Sequence, residues 1–178
     1  MKEIIIDLGC GINKIKGSIG ADANTEVKPD IIHDLNSFPY PFTNNFADKI
    51  YLDNTLEHLE NTIKVMDEVY RILKLNAMCI ISVPYFRSKY AFCDPTHKKF
   101  FTLESFRYFD KDDDVFKTYK YSKSKFKIFN VEFNKDIKKN FFVNFLCKFA
   151  IKHKWFYESF LSHLFPLSEV TFYLKKDQ

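Results

Sequence analysis

Residues 2–11, Lys2-Glu3-Ile4-Ile5-Ile6-Asp7-Leu8-Gly9-Cys10-Gly11, decide how the rest of the chain is read. Three consecutive isoleucines describe a strand buried on both faces, and the glycines after them permit a tight turn in which backbone comes very close to a ligand. In an open α/β sheet such a turn lies at the carboxyl end of a central strand, beside the topological switch point where ligands collect. A Gly-x-Gly alone equally describes an ordinary strand-to-loop turn. Two acids favour the first reading: Asp7 ends the first strand, and Asp22 ends a second short strand over residues 17–22. A carboxylate at the end of the second strand is the usual acceptor for a ribose diol.

The same stretch argues against a nicotinamide dinucleotide. Lys14 stands where the third glycine of G-x-G-x-x-G would be, and no long helix fits between Gly11 and the next strand. A pyrophosphate wants that helix N-terminus, whereas a ligand with adenosine and no phosphates does not.

Asp7-Leu8-Gly9-Cys10-Gly11 resembles the first motif of the class I S-adenosylmethionine-dependent methyltransferases. Asp53-Asn54-Thr55-Leu56-Glu57-His58-Leu59 is similar to the stretch that ends the fourth strand in the small type 11 subgroup, and the resemblance covers residues 3–109. It implies an α/β fold: a doubly wound, Rossmann-like sheet, mostly parallel, whose last strand runs antiparallel between the fifth and sixth. It implies S-adenosylmethionine as cofactor, held by Asp7, Gly9, Cys10 and Gly11 of the first motif. Asp22, beside Ala23, matches the ribose-binding acid. Asp34-Leu35 matches the pair whose carboxylate meets the adenine amino group and whose backbone N–H meets a ring nitrogen. Asp53 and Asn54 fall near the methionine end. The chain departs from the pattern twice: Asn13 replaces a third glycine, which asparagine's tolerance of left-handed backbone eases, and the helix after the first motif is nearly absent.

At 178 residues, 46% hydrophobic and 18% aromatic with 21 Phe, the chain has ample material for one domain, 1–178, and no compositional case for disorder. Residues 1–109 read as the cofactor-binding core, and residues 110–178 as C-terminal strands and an apolar helical region of the same domain. The net charge of +4 is uneven: residues 1–110 carry 13 Lys/Arg against 15 Asp/Glu, and residues 111–178 carry 14 against 8. This falls far short of a nucleic-acid-binding arm, and no nucleic-acid partner is expected. Cys10, Cys79, Cys93 and Cys147 form no C-x-x-C pair and have no histidine at zinc spacing, and no acidic triad suggests a metal. No metal is therefore expected. Unpaired cysteines, no signal peptide and no apolar run long enough to span a bilayer predict the reducing cytoplasm.

Further strands are expected over 30–33, 47–53 and 78–83, and a helix over 61–75 from apolar residues at Ile63, Met66, Val69, Tyr70 and Leu73, with Asn76 as its stop. Thr102 is expected to cap a short helix through Phe109. Alternation over 120–133 predicts a strand, with a slip near Asn130 that signals a bulge. Residues 140–165 read as an apolar helical region, and 169–175 as the last strand.

The loop over residues 84–101 follows the fifth strand, whose carboxyl end faces the substrate side, and loops there carry chemistry. Its Asp94-Pro95-Thr96-His97 resembles a segment that borders the acceptor pocket in a subset of type 11 proteins. Methyl transfer needs an aligned nucleophile and, for many acceptors, a group that takes a proton. His97 is the candidate general base because an imidazole titrates near neutrality, and Asp94 is close enough in sequence to orient it. A structural hydrogen bond is the competing role for His97, and His58 reads as structural. Arg87, Lys89, Lys98 and Lys99 suit an anionic or sugar-linked small-molecule acceptor, or a merely solvated rim. Two other classes stay open: a non-catalytic cofactor-binding subunit acting with a partner protein, and a membrane-surface protein that lays residues 141–165 in the interface.

Overall fold

A computed structural model describes residues 3–133 and 141–178. Seven strands form one sheet in the order β3-β2-β1-β4-β5-β7-β6. They are β1 (Ile5–Leu8), β2 (Ile19–Asp22), β3 (Ile31–Ile32), β4 (Ala47–Asp53), β5 (Leu73–Pro84), β6 (Phe126–Phe133) and β7 (Glu169–Lys176). β1 to β5 pair in parallel, and β7 runs antiparallel to both β5 and β6. This is the expected topology, and both halves of the chain contribute strands to it. Order reverses between β1 and β4, so the crevice beyond their carboxyl ends is the switch point where ligands bind.

The apolar run of each central strand is buried for a visible reason. Ile6, Leu8, Ile50, Leu52, Cys79, Ile81, Phe172 and Leu174 have no exposed surface, and they share the core with Val65, Met66, Val69 and Ile72 of helix α1 (Thr62–Ile72). Asn61 starts α1 by accepting the Lys64 N–H on its side chain. Between β1 and β2 there is only the 3₁₀ turn Gly11–Asn13, which agrees with the missing helix.

The last strand is clamped to the first half of the chain by a buried cation. Lys176 Nζ donates to Asn45 Oδ1 at 2.9 Å and to the carbonyls of Tyr70 and Leu73 at 2.8 Å each. It also lies 4.5 Å from the centre of the Tyr70 ring.

Three boundaries differ from expectation. α1 ends at Ile72 and β5 starts at Leu73, because Leu73 is fully buried opposite Ala47 in the sheet. The ladder then shifts register so that Lys49 pairs with Met78, and Asn76 takes its left-handed backbone (φ +66°) inside β5 instead of stopping a helix. Thr102 does not cap a helix directly: its hydroxyl accepts the Glu104 N–H at 3.2 Å, and a 3₁₀ turn follows over Ser105–Phe109. The bulge expected near Asn130 is present, as a register shift between Ile128 and Asn130.

Helix α2 (Tyr90–Cys93) lies in the 84–101 loop. Helix α3 (Asp114–Tyr119) adds to the expected elements, and Asp113 caps it by accepting the Val115 N–H. The apolar region contains α4 (Phe141–Lys152), followed by helical turns over Lys154–Phe156 and Tyr157–Leu161. Asn140, the first residue of the expected helical region, lies outside the described residues. Only part of that region enters the core. Tyr157 is fully buried and donates to the Phe165 carbonyl at 2.8 Å, whereas Phe141, Trp155 and Phe160 are 87%, 72% and 56% exposed. No helix among the described residues is long and apolar enough to cross a membrane.

Candidate active site

At the carboxyl end of β1 the chain turns through Gly9 (φ +73°) and Gly11 (φ +48°), both in the left-handed region. The turn is held by carboxylates. Asp22 Oδ2 accepts the Gly11 N–H at 2.9 Å, Asp22 Oδ1 accepts the Asn24 N–H at 2.8 Å, and Asp7 Oδ2 accepts the Ile15 N–H at 2.8 Å. The neighbouring β4 end contributes Thr55, whose hydroxyl reaches the carbonyls of Gly9 and Asp53 at 3.3 and 3.1 Å. Asn54, between them, is itself left-handed (φ +48°).

Two adjoining cavities open around this turn. One, of about 370 Å³, is lined by Asp22, Ala23, Asp34 and Leu35 together with Gly9 and Gly11. The other, of about 260 Å³, is lined by Asp7, Cys10, Asp53 and Asn54 along with the same glycines. Every residue assigned to the cofactor from sequence therefore lies on one of two connected walls. Burial raises the carboxyl pKa of Asp7, which the nearby Asp53 and Asp22 raise further, and burial likewise raises that of Asp53. A cation bound between these acids would offset that cost.

A third cavity, of about 530 Å³, lies beside the first two and shares Asn54 with both. It contains His97 and Asp94, as expected, but their relation differs from the one expected. Asp94 Oδ1 accepts the Thr96 hydroxyl at 2.7 Å and the Thr96 N–H at 2.8 Å, which hold its pKa down. Thr96 Oγ1 in turn sits 2.8 Å from His58 Nδ1. Asp94 thus orients His58 through Thr96, and what orients His97 is the Ala91 carbonyl, 3.1 Å from its Nδ1.

Sequence reasoning missed Glu57. It is 1% exposed, and neither carboxylate oxygen has a hydrogen-bond partner. Burial, with Glu169, Asp53 and Asp94 nearby, pushes its pKa up to about 7. Its backbone carbonyl accepts the N–H groups of both Lys98 and Lys99, at 2.8 and 3.1 Å, which folds the loop so that His97 Nε2 lies 3.9 Å from Glu57 Oε1. Its place in the Asp53–Leu59 stretch that resembles the family is the signal that could have marked it; its approach to His97 depends on the loop contact.

The four basic residues expected at the mouth do not line this cavity. Lys98 pairs with Glu60, Arg87 lies over the Phe86 ring and Lys89 over the Tyr90 ring. The lining instead includes Glu57, Asp94 and Glu169.

A seven-stranded sheet with an inserted antiparallel β7, and paired cavities at its switch point, define the class I S-adenosylmethionine-dependent methyltransferase fold. Residues 20–81 match the family model described as a methyltransferase domain. The chain is similar to the class I S-adenosylmethionine-dependent methyltransferases over that stretch and has their fold. It resembles a SAM-dependent methyltransferase from Archaeoglobus fulgidus, at 18% identity and a TM-score of 0.61, over 98% of this chain and 86% of that one. YcgJ from Bacillus subtilis is similar at 15% identity and a TM-score of 0.61, over 99% of this chain and 93% of that one. A Haloferax volcanii methyltransferase solved in complex with the Trm112 methyltransferase activator is similar at 13% identity and a TM-score of 0.61, over 99% and 83%. No curated protein sequence matches the chain.

The residues present fit the cofactor. Each Asp22 oxygen bonds one backbone N–H and keeps a second lone pair for a ribose hydroxyl. A Cβ built on Gly11 meets nothing within 4 Å, so the turn leaves open space where the two cavities adjoin. The acids at the second cavity suit the ammonium of a methionyl group.

Proposed function

We propose that the protein methylates a hydroxylated small molecule, sugar-linked acceptors included, bound in the 530 Å³ cavity. The observation that supports this reading is the sharing of Asn54 by the cofactor cavities and the third cavity: an acceptor in the third would lie beside the methionine end of a cofactor in the other two. In this reading Asp22 holds the ribose, Asp34 and the Leu35 N–H hold adenine, and Asp7 and Asp53 face the methionyl group. Gly9, Cys10, Gly11 and Ala23 supply the close backbone walls. S-adenosylmethionine, when bound, supplies an electrophilic methyl group on a sulfonium. The chain has to align an oxygen with it and take up the oxygen's proton. The Glu57–His58–His97 cluster is placed to take that proton. A carbonyl can only accept, so His97 Nδ1 carries the hydrogen and Nε2 keeps a lone pair. An acidic lining favours neutral or cationic acceptors over the anionic ones that the rim lysines suggest.

The test is turnover on a panel of sugars and small hydroxylated metabolites. His97→Gln is expected to lower kcat by about 10²-fold or more while leaving cofactor affinity unchanged, as for loss of a group that handles the proton. Full turnover by that variant on the true acceptor would remove the cluster from the chemistry.

A second reading, contact with a membrane surface, draws on the exposed Phe141, Trp155 and Phe160 among the lysines Lys148, Lys152 and Lys154. Flotation with anionic liposomes is expected to carry the protein upward, and protein left at the bottom of the gradient would exclude it.

A further inference from the structure

We infer that Glu57, His58 and His97 bind a divalent transition-metal ion, of the zinc type, in the wall of the acceptor cavity. Three observations carry this. One ligand atom from each of the three side chains falls within 4.8 Å of the other two. Both histidines are held in the form that ligation requires. The Thr96 hydroxyl gives its hydrogen to Asp94, so His58 Nδ1 donates to Thr96 Oγ1; His97 Nδ1 donates to the Ala91 carbonyl. Each ring therefore carries its lone pair on Nε2, and a carboxylate or carbonyl fixing the other ring nitrogen is the usual outer support of a metal-bound histidine. The third observation concerns the carboxyl group: Glu57 is 1% exposed, and neither of its oxygens is hydrogen-bonded. A buried, unpaired carboxylate is costly unless a cation is brought to it.

Two imidazoles and one carboxylate form the donor set of open zinc sites and of facial-triad sites, which leave positions for water or substrate. The ligands are hidden in the sequence because Glu57 and His58 sit on the 3₁₀ turn Leu56–His58 after β4 while His97 arrives on the loop after β5. The Lys98 and Lys99 N–H bonds to the Glu57 carbonyl bring the two segments together. Asp94, Glu169 and Asp53 add negative charge around Glu57, which favours a cation further. Glu57, His58 and His97 all line the acceptor cavity, and, resting on the methylation reading above, an ion held by them would be able to bind an acceptor oxygen and lower the pKa of its hydroxyl. With the ion bound, His97 Nε2 is a ligand, so the ion replaces the direct proton uptake assigned to the cluster above and the acidified proton passes to solvent.

The experiment uses the untagged full chain, stripped with chelator and titrated with Co²⁺ at pH 8, with visible absorption and calorimetry as readouts and Zn²⁺ as competitor. One equivalent of Co²⁺ is expected to bind with d–d bands that Zn²⁺ removes. Glu57→Gln and His97→Asn are each expected to weaken binding by at least about 100-fold, while His163→Asn, outside the site, leaves it unchanged. Glu57→Gln also removes the buried charge, so the ion-free variant is expected to melt higher than the ion-free parent and to gain no further stability from Zn²⁺. No saturable Co²⁺ binding by folded protein, or equal binding by both site variants, would overturn the inference. S-adenosylmethionine titrated into the same samples separates the two readings: cofactor binding without Co²⁺ binding refutes only the metal site, and Co²⁺ binding without cofactor binding refutes only the cofactor assignment.

Discussion

Gly9→Ala is expected to lower stability by about 4 kcal/mol, enough to lower Tm by roughly 10 °C in a domain of this size. Two costs add. Gly9 has φ +73°, where a side chain costs about 1–2 kcal/mol in backbone strain. A Cβ there would also lie 2.3 Å from Thr55 Oγ1 and 2.4 Å from Thr55 Cγ2, an overlap of the kind that costs about 1–3 kcal/mol when the surroundings must shift. The two parts can be separated. Gly11→Ala carries only the backbone cost, because nothing lies within 4 Å of its built Cβ, and Thr55→Gly combined with Gly9→Ala should recover the packing part. Denaturant unfolding measures all three. A loss under about 1 kcal/mol for Gly9→Ala would show that the turn relaxes freely, and the packing of β1 against the β4 end would have to be redrawn.

Asp22→Ala should weaken S-adenosylmethionine binding by at least about 100-fold, measured by calorimetry alongside the demethylated product. Charge-assisted hydrogen bonds are worth roughly 1.5–3 kcal/mol each, and two ribose hydroxyls are at stake at about 1.4 kcal/mol per tenfold. The substitution also frees the Gly11 and Asn24 N–H groups that Asp22 holds, so the glycine turn loses its tether together with the ligand. Asp22→Asn is not a mild replacement, because its amide nitrogen would face one of those two donors. Unchanged affinity in a folded Asp22→Ala protein would remove this residue from the cofactor site.

Much of this is legible in the chain because it depends on local pattern. The isoleucine run, the acid at the end of β2 and the Asp34-Leu35 pair occupy strand ends, where topology alone brings them together. The order of β7 between β5 and β6 follows from the family resemblance and is found. What cannot be read depends on contacts made across the fold. Asn76 looks like a helix stop in sequence, yet the pairing of Leu73 with Ala47 decides where α1 ends. Asp94 sits close to His97 in the chain, but Thr96 intercepts it and passes its influence to His58. Glu57 lies in the Asp53–Leu59 stretch that carries the family resemblance, but its burial and its approach to His97 depend on Lys98 and Lys99 closing over its backbone. The rim lysines suggest a charge preference that their ring and carboxylate partners absorb.

Asn54 borders all three cavities on a left-handed backbone, with its N–H donated to the Ser82 carbonyl at 2.9 Å and its side-chain amide to Asp53 and Glu169 at 3.1 Å each. A residue touched by two ligands at once makes their binding equilibria interdependent. Whatever factor the cofactor imposes on acceptor affinity, the acceptor must impose on cofactor affinity, by thermodynamic reciprocity. With an acceptor in the third cavity and the cofactor in the other two, as proposed, the coupling between their affinities would run through one asparagine at the end of β4.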